Sequence, residues 1–287
     1  MHYALTVVIL TYNESIHIER AIKNVIDWAD KVIVLDSYSQ DDTVEKAKNL
    51  GAEVLFRKFD DYKNQRQFAI DYCKALTKWM LFLDADEYLL PELQLEIKNK
   101  INNETKTIGY YIPRRAIFME RWIKHGGQYP CYLLRLFRPE TARLNGTVNE
   151  HVVVDGPIEK LKNDFVDHNL KNIEFWLDKH NRYTNFEAAE LWEEKLKKNK
   201  LKKLRFHIQS ERKKWIKQNI WNHLPSLWRS FLYFIYRYVF RLGFLDGRAG
   251  FIYHFLQGGF NFFLIDVKYI EMKLCANKQA SSVLHDQ

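Results

Sequence analysis

The sequence of 287 residues has few glycines, prolines and cysteines, and each of these scarcities excludes a class of protein. Eleven glycines and six prolines are too few for a fibrous or low-complexity chain. The three cysteines, Cys73, Cys131 and Cys275, lie far apart, which argues against a disulfide framework or a zinc ribbon and indicates a reducing compartment. The sequence also contains no clean apolar run of about 18 residues, so it predicts no ordinary transmembrane helix.

What the sequence does contain is typical of a folded protein with one large domain or two modest ones. Hydrophobic residues make up 47% of the chain and charged residues 28%, which excludes an intrinsically disordered chain. Aromatic residues reach 15%, which is high. Lysine and arginine number 44 against 36 aspartates and glutamates, so the formal net charge is +8.

Within the first 90 residues, apolar runs alternate with amphipathic segments. The runs predict strands over about 4–10, 31–35, 53–56 and 79–83. Helices are predicted between these strands, the first of them capped by Asn13. Continuous apolar strands separated by helices indicate a parallel sheet covered on both faces, so the sequence predicts a doubly wound α/β domain.

The pattern changes after about residue 105. Further strands with longer-range, mixed pairing are predicted at 110–113, 132–137 and 151–154. The rest of the chain has a helical pattern that is first lysine-rich and then aromatic-rich. The sequence therefore predicts a sheet domain over 1–170 and a helical region over 171–287.

Polar side chains follow three of the predicted strands at the point where each strand ends. They are Thr11-Tyr12-Asn13-Glu14, the stretch from Asp36 to Thr43, and Asp84-Ala85-Asp86-Glu87. Ligands of doubly wound sheets bind at the carboxyl ends of the strands. Acidic clusters that converge there repel one another without a cation or a hydrogen-bonding ligand. Hard oxygen ligands suit Mg²⁺ or Mn²⁺, which bridges substrate phosphates. A lone Asp-x-Asp is more often a solvated turn, but here it directly follows an apolar strand, which favours a site.

Asp36 has an alternative role as the N-cap of the helix that follows it. Asp41 and Asp42 are closer to that helix and better placed to cap it. Asp36 is therefore expected to be free for a ligand.

These clusters, together with Gln65-Arg66-x-x-Ala69, resemble glycosyltransferase family 2. The resemblance implies a GT-A fold, a nucleotide-sugar donor and inversion at the anomeric carbon. Segments farther along the chain are similar to the lipopolysaccharide inner-core β-glucosyltransferase subgroup. These segments are Ile112-Pro113-Arg114-Arg115, His125-Gly126-Gly127-x-Tyr129-Pro130, Arg135-Leu136-Phe137-Arg138 and Arg241-Leu242-Gly243-Phe244-Leu245-Asp246-Gly247. Jointly the motifs are specific for the family, and they are less specific for the sugar.

The resemblance also implies roles for individual residues. Nucleotide-sugar binding is implied for Thr11, Asn13, Glu14, Asp36, Arg66, Asp84 and Ala85. Among them, Asp36 would hydrogen-bond the uracil and Arg66 would lie near the phosphates. Asp86 would hold the metal that bridges the diphosphate, where a dication stabilises the charge of the departing nucleoside diphosphate. His168 is a candidate second metal ligand, with a purely structural histidine as the alternative.

An inverting transfer needs a base that takes the proton of the acceptor hydroxyl, and the candidate is Glu150. Similar proteins usually have His-Glu at this point, and Asn149 stands here in place of that histidine. Cys131 stands where the subgroup commonly has an aspartate. A second carboxylate candidate for the base is therefore missing, which favours Glu150. The alternative for Glu150 is a charge at the edge of a strand.

Two further residues are expected on the acceptor side, His125 and Arg135. Gly126 and Gly127 would let the backbone approach a sugar closely, or they would form a plain turn. Of Arg135 and Arg138, one is expected to be an anchor and the other a surface charge.

Residues 191–217 contain eleven lysines and arginines and three glutamates, so this segment accounts for the whole formal charge of +8. An aromatic-rich stretch interrupted by Arg229, Arg237 and Arg241 follows it. A basic segment beside aromatic helices indicates an interfacial anchor on an anionic membrane surface. The alternative is a solvated helix face with ordinary helical packing. Nucleic acid is not expected as a partner, because aromatic stacking platforms for single strands normally lie on sheets.

Together these features predict a metal-dependent, inverting hexosyltransferase. The expected donor is UDP-glucose, and the expected acceptor is a lipopolysaccharide inner-core sugar at the cytoplasmic face of the bacterial membrane. Two rivals stay open: an enzyme of the same fold with another UDP-sugar or glycan acceptor, and a catalytically inactive, membrane-associated scaffold. Release of UDP from UDP-sugars in the presence of acceptor separates the enzyme from the scaffold.

Overall fold

The computed structural model describes residues 3–103, 106–145, 151–196 and 224–285, which belong to two compact units. Unit 1 comprises Met1–Lys124 and Gln128–Lys171. Unit 2 comprises His125–Gly127 and Asn172–Gln287.

Unit 1 is an α/β structure whose strands and helices alternate over its first half. Its strands are β1 (Tyr3–Thr11), β2 (Lys31–Asp36), β3 (Glu53–Phe56), β4 (Thr77–Asp84), β5 (Glu87–Leu89), β6 (Gly109–Phe118), β7 (Arg121–Trp122), β8 (Cys131–Phe137), β9 (Ala142–Asn145), β10 (His151–Val154), β11 (Ile158–Lys160) and β12 (Phe165–His168). Its helices are α1 (Ile18–Val25), α2 (Thr43–Asn49), α3 (Tyr62–Cys73) and α4 (Pro91–Asn102).

The main sheet has the strand order β3-β2-β1-β4-β8-β6-β12-β5, with β7 and β11 also paired to β6. Strands β1 to β4 are parallel to one another, whereas β8 is antiparallel to both β4 and β6. Strands β9 and β10 form a separate antiparallel pair. The predicted doubly wound, mostly parallel sheet is therefore confirmed, as is the mixed pairing of the later strands.

The parallel strands are apolar throughout because helices cover both faces of the sheet. Successive side chains of a strand point to opposite faces. On one face, Val7 and Ile9 pack in a cluster with Ile22 of α1. On the other, Val8 packs in a cluster with Ile70 of α3. Such strands appear in the sequence as unbroken apolar runs rather than as an alternating pattern.

The first helix begins farther along the chain than its predicted cap, Asn13. Helix α1 starts at Ile18, and Asn13 has a left-handed φ of 53° that asparagine tolerates better than most residues. The Asn13 Oδ1 accepts a hydrogen bond from the backbone N–H of Gln40 at 2.8 Å, and its own N–H donates to the Ser39 hydroxyl at 2.8 Å. The capping prediction is wrong, because Asn13 ties the end of β1 to the loop that follows β2.

Unit 2 is helical in its described part. Its helices are α5 (Ile173–Leu196), α6 (Trp228–Ile235), α7 (Gly247–His254) and α8 (Asn261–His285). A π-helical turn, Tyr236–Phe240, continues α6, and a second one, Phe255–Phe260, links α7 to α8. The predicted helical C-terminal region is confirmed. None of the helices in the described ranges combines the length and the apolar character needed to cross a bilayer.

Candidate active site

Several of the predicted site residues lie side by side at the carboxyl edge of the parallel strands. Thr11 of β1 is opposite Asp36 of β2 in the register, and Leu10 of β1 is opposite Asp84 of β4. Asp86 and Glu87 follow Asp84 within three residues. The sheet therefore brings the ends of three strands together where doubly wound folds bind ligands.

Asp36 is fully buried, and its carboxylate accepts three hydrogen bonds from the protein. The Thr11 hydroxyl donates at 2.8 Å, the Ser39 hydroxyl at 2.6 Å and the Ser39 backbone N–H at 2.7 Å. Asp36 therefore has partners within the protein, which the sequence did not indicate. Its carboxylate fixes the loop after β2, and its contact with uracil stays a prediction.

Glu14 has both carboxylate oxygens engaged within unit 1. One oxygen lies 2.6 Å from Nδ1 of His17, and the other accepts from Nζ of Lys171 at 2.7 Å. Nε2 of His17 accepts a hydrogen bond from the backbone N–H of Leu170 at 2.8 Å, so the ring proton lies on Nδ1 and points at Glu14. Glu14 thus holds the segment after β12 against the end of β1, and its contact with a nucleoside stays a prediction.

A buried ion-pair network lies beneath the strand ends. Asp84 accepts from Nη2 of Arg66 at 3.2 Å and from Nη2 of Arg135 at 2.9 Å. The same Arg135 nitrogen lies 2.5 Å from Oε1 of Glu87, whose other oxygen accepts from the Asp84 backbone N–H at 2.9 Å. Burial raises the pKa of Glu87 well above its usual value, although Arg135 opposes this shift. Burial also disfavours the charge on Arg135, but Asp84 and Glu87 outweigh it and raise the Arg135 pKa.

This network corrects the expected surroundings of Arg135. The residue was predicted to face the acceptor, and it is instead buried between two carboxylates. Ala85 is buried in the core as well, while Asp84 and Asp86 on either side of it are partly exposed. The alternation places the two aspartates on the outer face of this turn.

The two predicted metal ligands, Asp86 and His168, are neighbours through the backbone. The His168 N–H donates to the Asp86 carbonyl at 3.0 Å. The Asp86 carboxylate accepts from Nδ2 of Asn169 at 2.9 Å, while Nε2 of His168 lies 3.1 Å from the Glu120 carboxylate. Arg20 donates to the carbonyl oxygens of Asp86 at 3.1 Å and of His168 at 2.6 Å, which fixes this corner of the sheet.

The donor set at this corner fits a magnesium-type ion. Within the described ranges, no three histidine, cysteine, aspartate or glutamate side chains are placed to hold a metal. Mg²⁺ is usually bound through one or two carboxylates and completed by waters and substrate phosphates. Asp86 therefore suits such an ion once a diphosphate supplies the remaining oxygens. His168 would have to turn from Glu120 to join it.

His125 belongs to unit 2, where its partner is Asp246. Nδ1 of His125 lies 2.6 Å from one Asp246 oxygen, and its backbone N–H donates to the other at 2.9 Å. The next residue, Gly126, has a φ of 65°, and a Cβ atom there would lie 2.0 Å from the His254 ring. The close approach expected at Gly126 is therefore to His254 rather than to a sugar. A place for His125 on the acceptor side stays a prediction.

The predicted base, Glu150, lies outside the described residues, as do Asn149 before it and residues 197–217 of the basic segment.

Three residues that hold the site were not singled out from the sequence. Asn169 contacts Asp86, and Lys171 contacts Glu14. Both lie within three positions of His168, which the sequence does indicate as a candidate metal ligand. Arg20 carries no such signal, because it lies on α1 and bonds to backbone carbonyls far along the chain.

The chain is similar in sequence to known proteins over about two thirds of its length. Residues 6–156 match the model of a family described as Glycosyl transferase family 2. Glycosyltransferase RP128 of Rickettsia prowazekii is 34% identical over 201 residues, which cover 64% of this chain and 66% of that protein. Glycosyltransferase RC0292 of Rickettsia conorii is 33% identical over 197 residues, which cover 64% of this chain and 68% of that protein. The matched part thus spans about two thirds of these relatives.

Among solved structures, glucosyl-3-phosphoglycerate synthase from Mycobacterium tuberculosis, in complex with Mn²⁺, UDP and glucosyl-3-phosphoglycerate, is 21% identical. The likeness has a TM-score of 0.35 and covers 39% of this chain and 44% of that chain. At that level the metal and the nucleotide remain properties of the mycobacterial enzyme.

Proposed function

The chain belongs to glycosyltransferase family 2, and we propose that it is an inverting hexosyltransferase that moves glucose from UDP-glucose onto a lipopolysaccharide inner-core sugar. Its catalytic fold is GT-A, followed by a helical C-terminal region. The observation that carries the proposal is the register of β1, β2 and β4, which aligns Thr11, Asp36 and Asp84 at the ligand-binding edge of the sheet.

The donor would bind across this edge. Asp36 and Ser39 hold the loop after β2, against which the uracil would lie. Arg66 would face the diphosphate, since its guanidinium is anchored at one end of the network by Asp84. A positive group fixed beside the diphosphate stabilises the charge that grows on it as the sugar bond breaks.

Asp86 would hold Mg²⁺ or Mn²⁺ together with the diphosphate, with His168 as a second candidate ligand. When bound, such an ion supplies electrostatic stabilisation of the departing UDP. The residues of this chain contribute position: Asn169 orients the Asp86 carboxylate, and Arg20 fixes the backbone beneath it.

Glu150 would take the proton from the acceptor hydroxyl as the new bond to the anomeric carbon forms on the face opposite to UDP. The acceptor would be lipid-linked, and the enzyme would lie peripherally on the cytoplasmic face of the membrane. The basic segment 191–217 supports this location, because each lysine or arginine near an anionic leaflet favours binding.

The test is an assay of UDP release with the purified full-length chain, an acceptor of truncated lipopolysaccharide core, and UDP-glucose, UDP-galactose or UDP-N-acetylglucosamine. We expect acceptor-dependent release with UDP-glucose to exceed the others by about tenfold or more, and mass spectrometry to find one added hexose. Preference for another donor would support the rival specificity. No release from any donor by a folded protein that binds UDP would support the inactive scaffold.

A further inference from the structure

Residues 224–263 of unit 2 bury two arginines and expose several aromatic side chains. Arg229 is 2% exposed and Arg237 is 5% exposed. Trp228 is 69% exposed, Phe231 56% and Phe240 73%. This is the reverse of a water-soluble helical unit, in which arginine is among the residues least often buried.

The exposed apolar side chains recur at the spacing of one helix face. On α6 and the π-helical turn after it, they follow one another at intervals of three, one, four, three and one residues. We name this set the apolar face: Trp228, Phe231, Leu232, Tyr236, Val239 and Phe240. A contiguous exposed patch of this kind marks an interaction surface.

The two buried arginines of the segment donate hydrogen bonds inside unit 2, although Nη2 of Arg237 has no hydrogen-bond partner among the described residues. Arg229 binds Asp266 through Nε at 3.0 Å and through a second bond from Nη2, and the Leu227 N–H donates to the same carboxylate at 2.7 Å. Arg237 donates from Nε to the carbonyl of Gly126 at 3.1 Å. Polar groups turned inward and bonded within the protein are the arrangement that a hydrocarbon environment requires.

The charges that remain on the surface of this segment are cationic. Residues 224–263 are all described, and Arg241 and Arg248 are the only charged residues among them that are exposed. Asp246, the only carboxylate in that range, is buried. The stretch just before it, residues 197–217, contains ten lysines and arginines and one glutamate. A segment with exposed aromatic side chains and exposed arginines, but with no exposed carboxylate, is complementary to anionic lipid headgroups.

We propose that the apolar face inserts into one leaflet of an anionic bilayer, so that unit 2 is embedded from one side and held by burial of aromatic side chains as well as by charge. This inference rests on the membrane association proposed above and replaces a purely electrostatic contact with insertion. Insertion does not depend on the identity of the donor or the acceptor. The inference can therefore be refuted while the proposed glycosyl transfer remains supported.

The test is flotation of the full-length chain with vesicles of phosphatidylglycerol and phosphatidylcholine, at salt concentrations of about 0.1 M and about 1 M. Salt at the higher concentration shortens the Debye length to about 3 Å and removes most of the electrostatic attraction, but it leaves apolar insertion intact. We expect a substantial fraction to stay bound in high salt. The Phe231→Ser/Phe240→Ser variant should lose about 100-fold in vesicle partitioning, about tenfold for each side chain.

A matched control replaces two side chains of similar exposure outside the apolar face, Leu95 in unit 1 and Phe186 on α5. Leu95→Ser/Phe186→Ser should bind vesicles as the unmodified chain does. Far-ultraviolet circular dichroism should show both variants folded, because the replaced side chains are exposed. Tryptophan fluorescence supplies a second readout: lipids brominated along the acyl chain should quench the unmodified chain more than Trp228→Phe.

Complete release in high salt, or equal binding by the two double variants, would overturn the inference. So would a dimer in vesicle-free buffer that Phe231→Ser/Phe240→Ser abolishes, since the apolar face would then be covered by a second copy of the chain. Loss of binding in that variant together with unchanged UDP release toward a soluble acceptor would support the inference and separate it from the catalytic proposal.

Discussion

Replacing Arg135 with methionine tests the buried network beneath the strand ends. Methionine is close in length to arginine but removes the cation that contacts both Asp84 and Glu87. Glu87 is buried, so the variant leaves its carboxylate in an apolar interior without a counter-ion. Breaking a buried pair in this way typically costs about 3 to 5 kcal/mol.

The cost depends on pH in a definite direction. The pKa of Glu87 is already raised by burial, so the folded state holds a proton more readily than the unfolded chain does. Stability therefore falls as pH rises through the interval between the ordinary glutamate pKa and the raised one. Arg135 opposes the rise in Glu87 pKa, so its removal extends that interval upward. The difference in unfolding free energy between the unmodified chain and Arg135→Met should widen from about pH 5 to about pH 8.

Urea unfolding followed by circular dichroism at both pH values measures this difference. The matched control is Arg143→Met, which breaks a pair of the same kind with Asp155 at 2.9 Å on the surface. Exposed pairs contribute at most about 1 kcal/mol, so this control should change little at either pH. Arg135→Lys keeps the charge but replaces the planar guanidinium with a shorter ammonium side chain, so its loss of stability should lie between those of the other two variants. A loss for Arg135→Met within 1 kcal/mol of the control at about pH 8, or one that does not change with pH, would refute the reasoning.

Four further predictions concern catalysis, packing and membrane binding. Asp86→Asn should fold normally and weaken Mn²⁺ binding in the presence of UDP, seen by calorimetry, with turnover reduced on the order of 10² or more; near-normal activity would contradict the metal assignment. Glu150→Gln should keep UDP-glucose affinity and lose about 10² to 10⁴ in transfer rate, whereas intact transfer with altered binding would assign Glu150 to the acceptor pocket. Gly126→Ala should lower the thermal unfolding midpoint more than Gly51→Ala does. Both glycines have positive φ, but only at Gly126 would an added Cβ atom clash with His254. Equal shifts would mean that backbone strain alone causes the loss and that the clash contributes nothing. A variant with four lysines replaced by glutamine should bind anionic vesicles more weakly at low salt and hydrolyse the donor normally. Unchanged vesicle binding would show that the basic segment is a solvated surface with no part in membrane binding. The replaced residues are Lys197, Lys198, Lys202 and Lys203.

The parallel half of the sheet could be predicted because its information is local. The apolar runs of β1, β2 and β4 are each flanked by polar residues. These strands are buried on both faces, so their sequences are continuously apolar and differ from the alternating pattern of strands with one exposed face. The other half could be predicted only in outline. Strand β8 enters between β4 and β6, and its pairing shifts register at Tyr110, which depends on contacts between distant segments. Strand β7, two residues long, carries no pattern at all.

The positions of the site residues were more predictable than their partners. Because Asp36 ends a strand, the sequence predicts that it lies at the ligand-binding edge of the sheet. Whether its carboxylate also bonds to Ser39 depends on the conformation of the loop, which the sequence pattern does not give. Arg135 lies on an apolar strand, where charge alone does not distinguish an anchor from a surface residue. Its burial follows from Glu87, which lies 48 residues away in sequence.

The bonds between the start and the end of unit 1 have a consequence for synthesis of the chain. His17 and Leu170 are 153 residues apart, and Arg20 and His168 are 148 apart. A growing chain cannot form these bonds until the segment after β12 has left the ribosome, although β1 emerged long before. The early strands therefore complete their contacts only after β12 has been made, and contacts of long sequence separation form slowly. A product terminated before β12 would lack the partners of His17 and Arg20, so we expect proteases to cleave it more readily than the full chain.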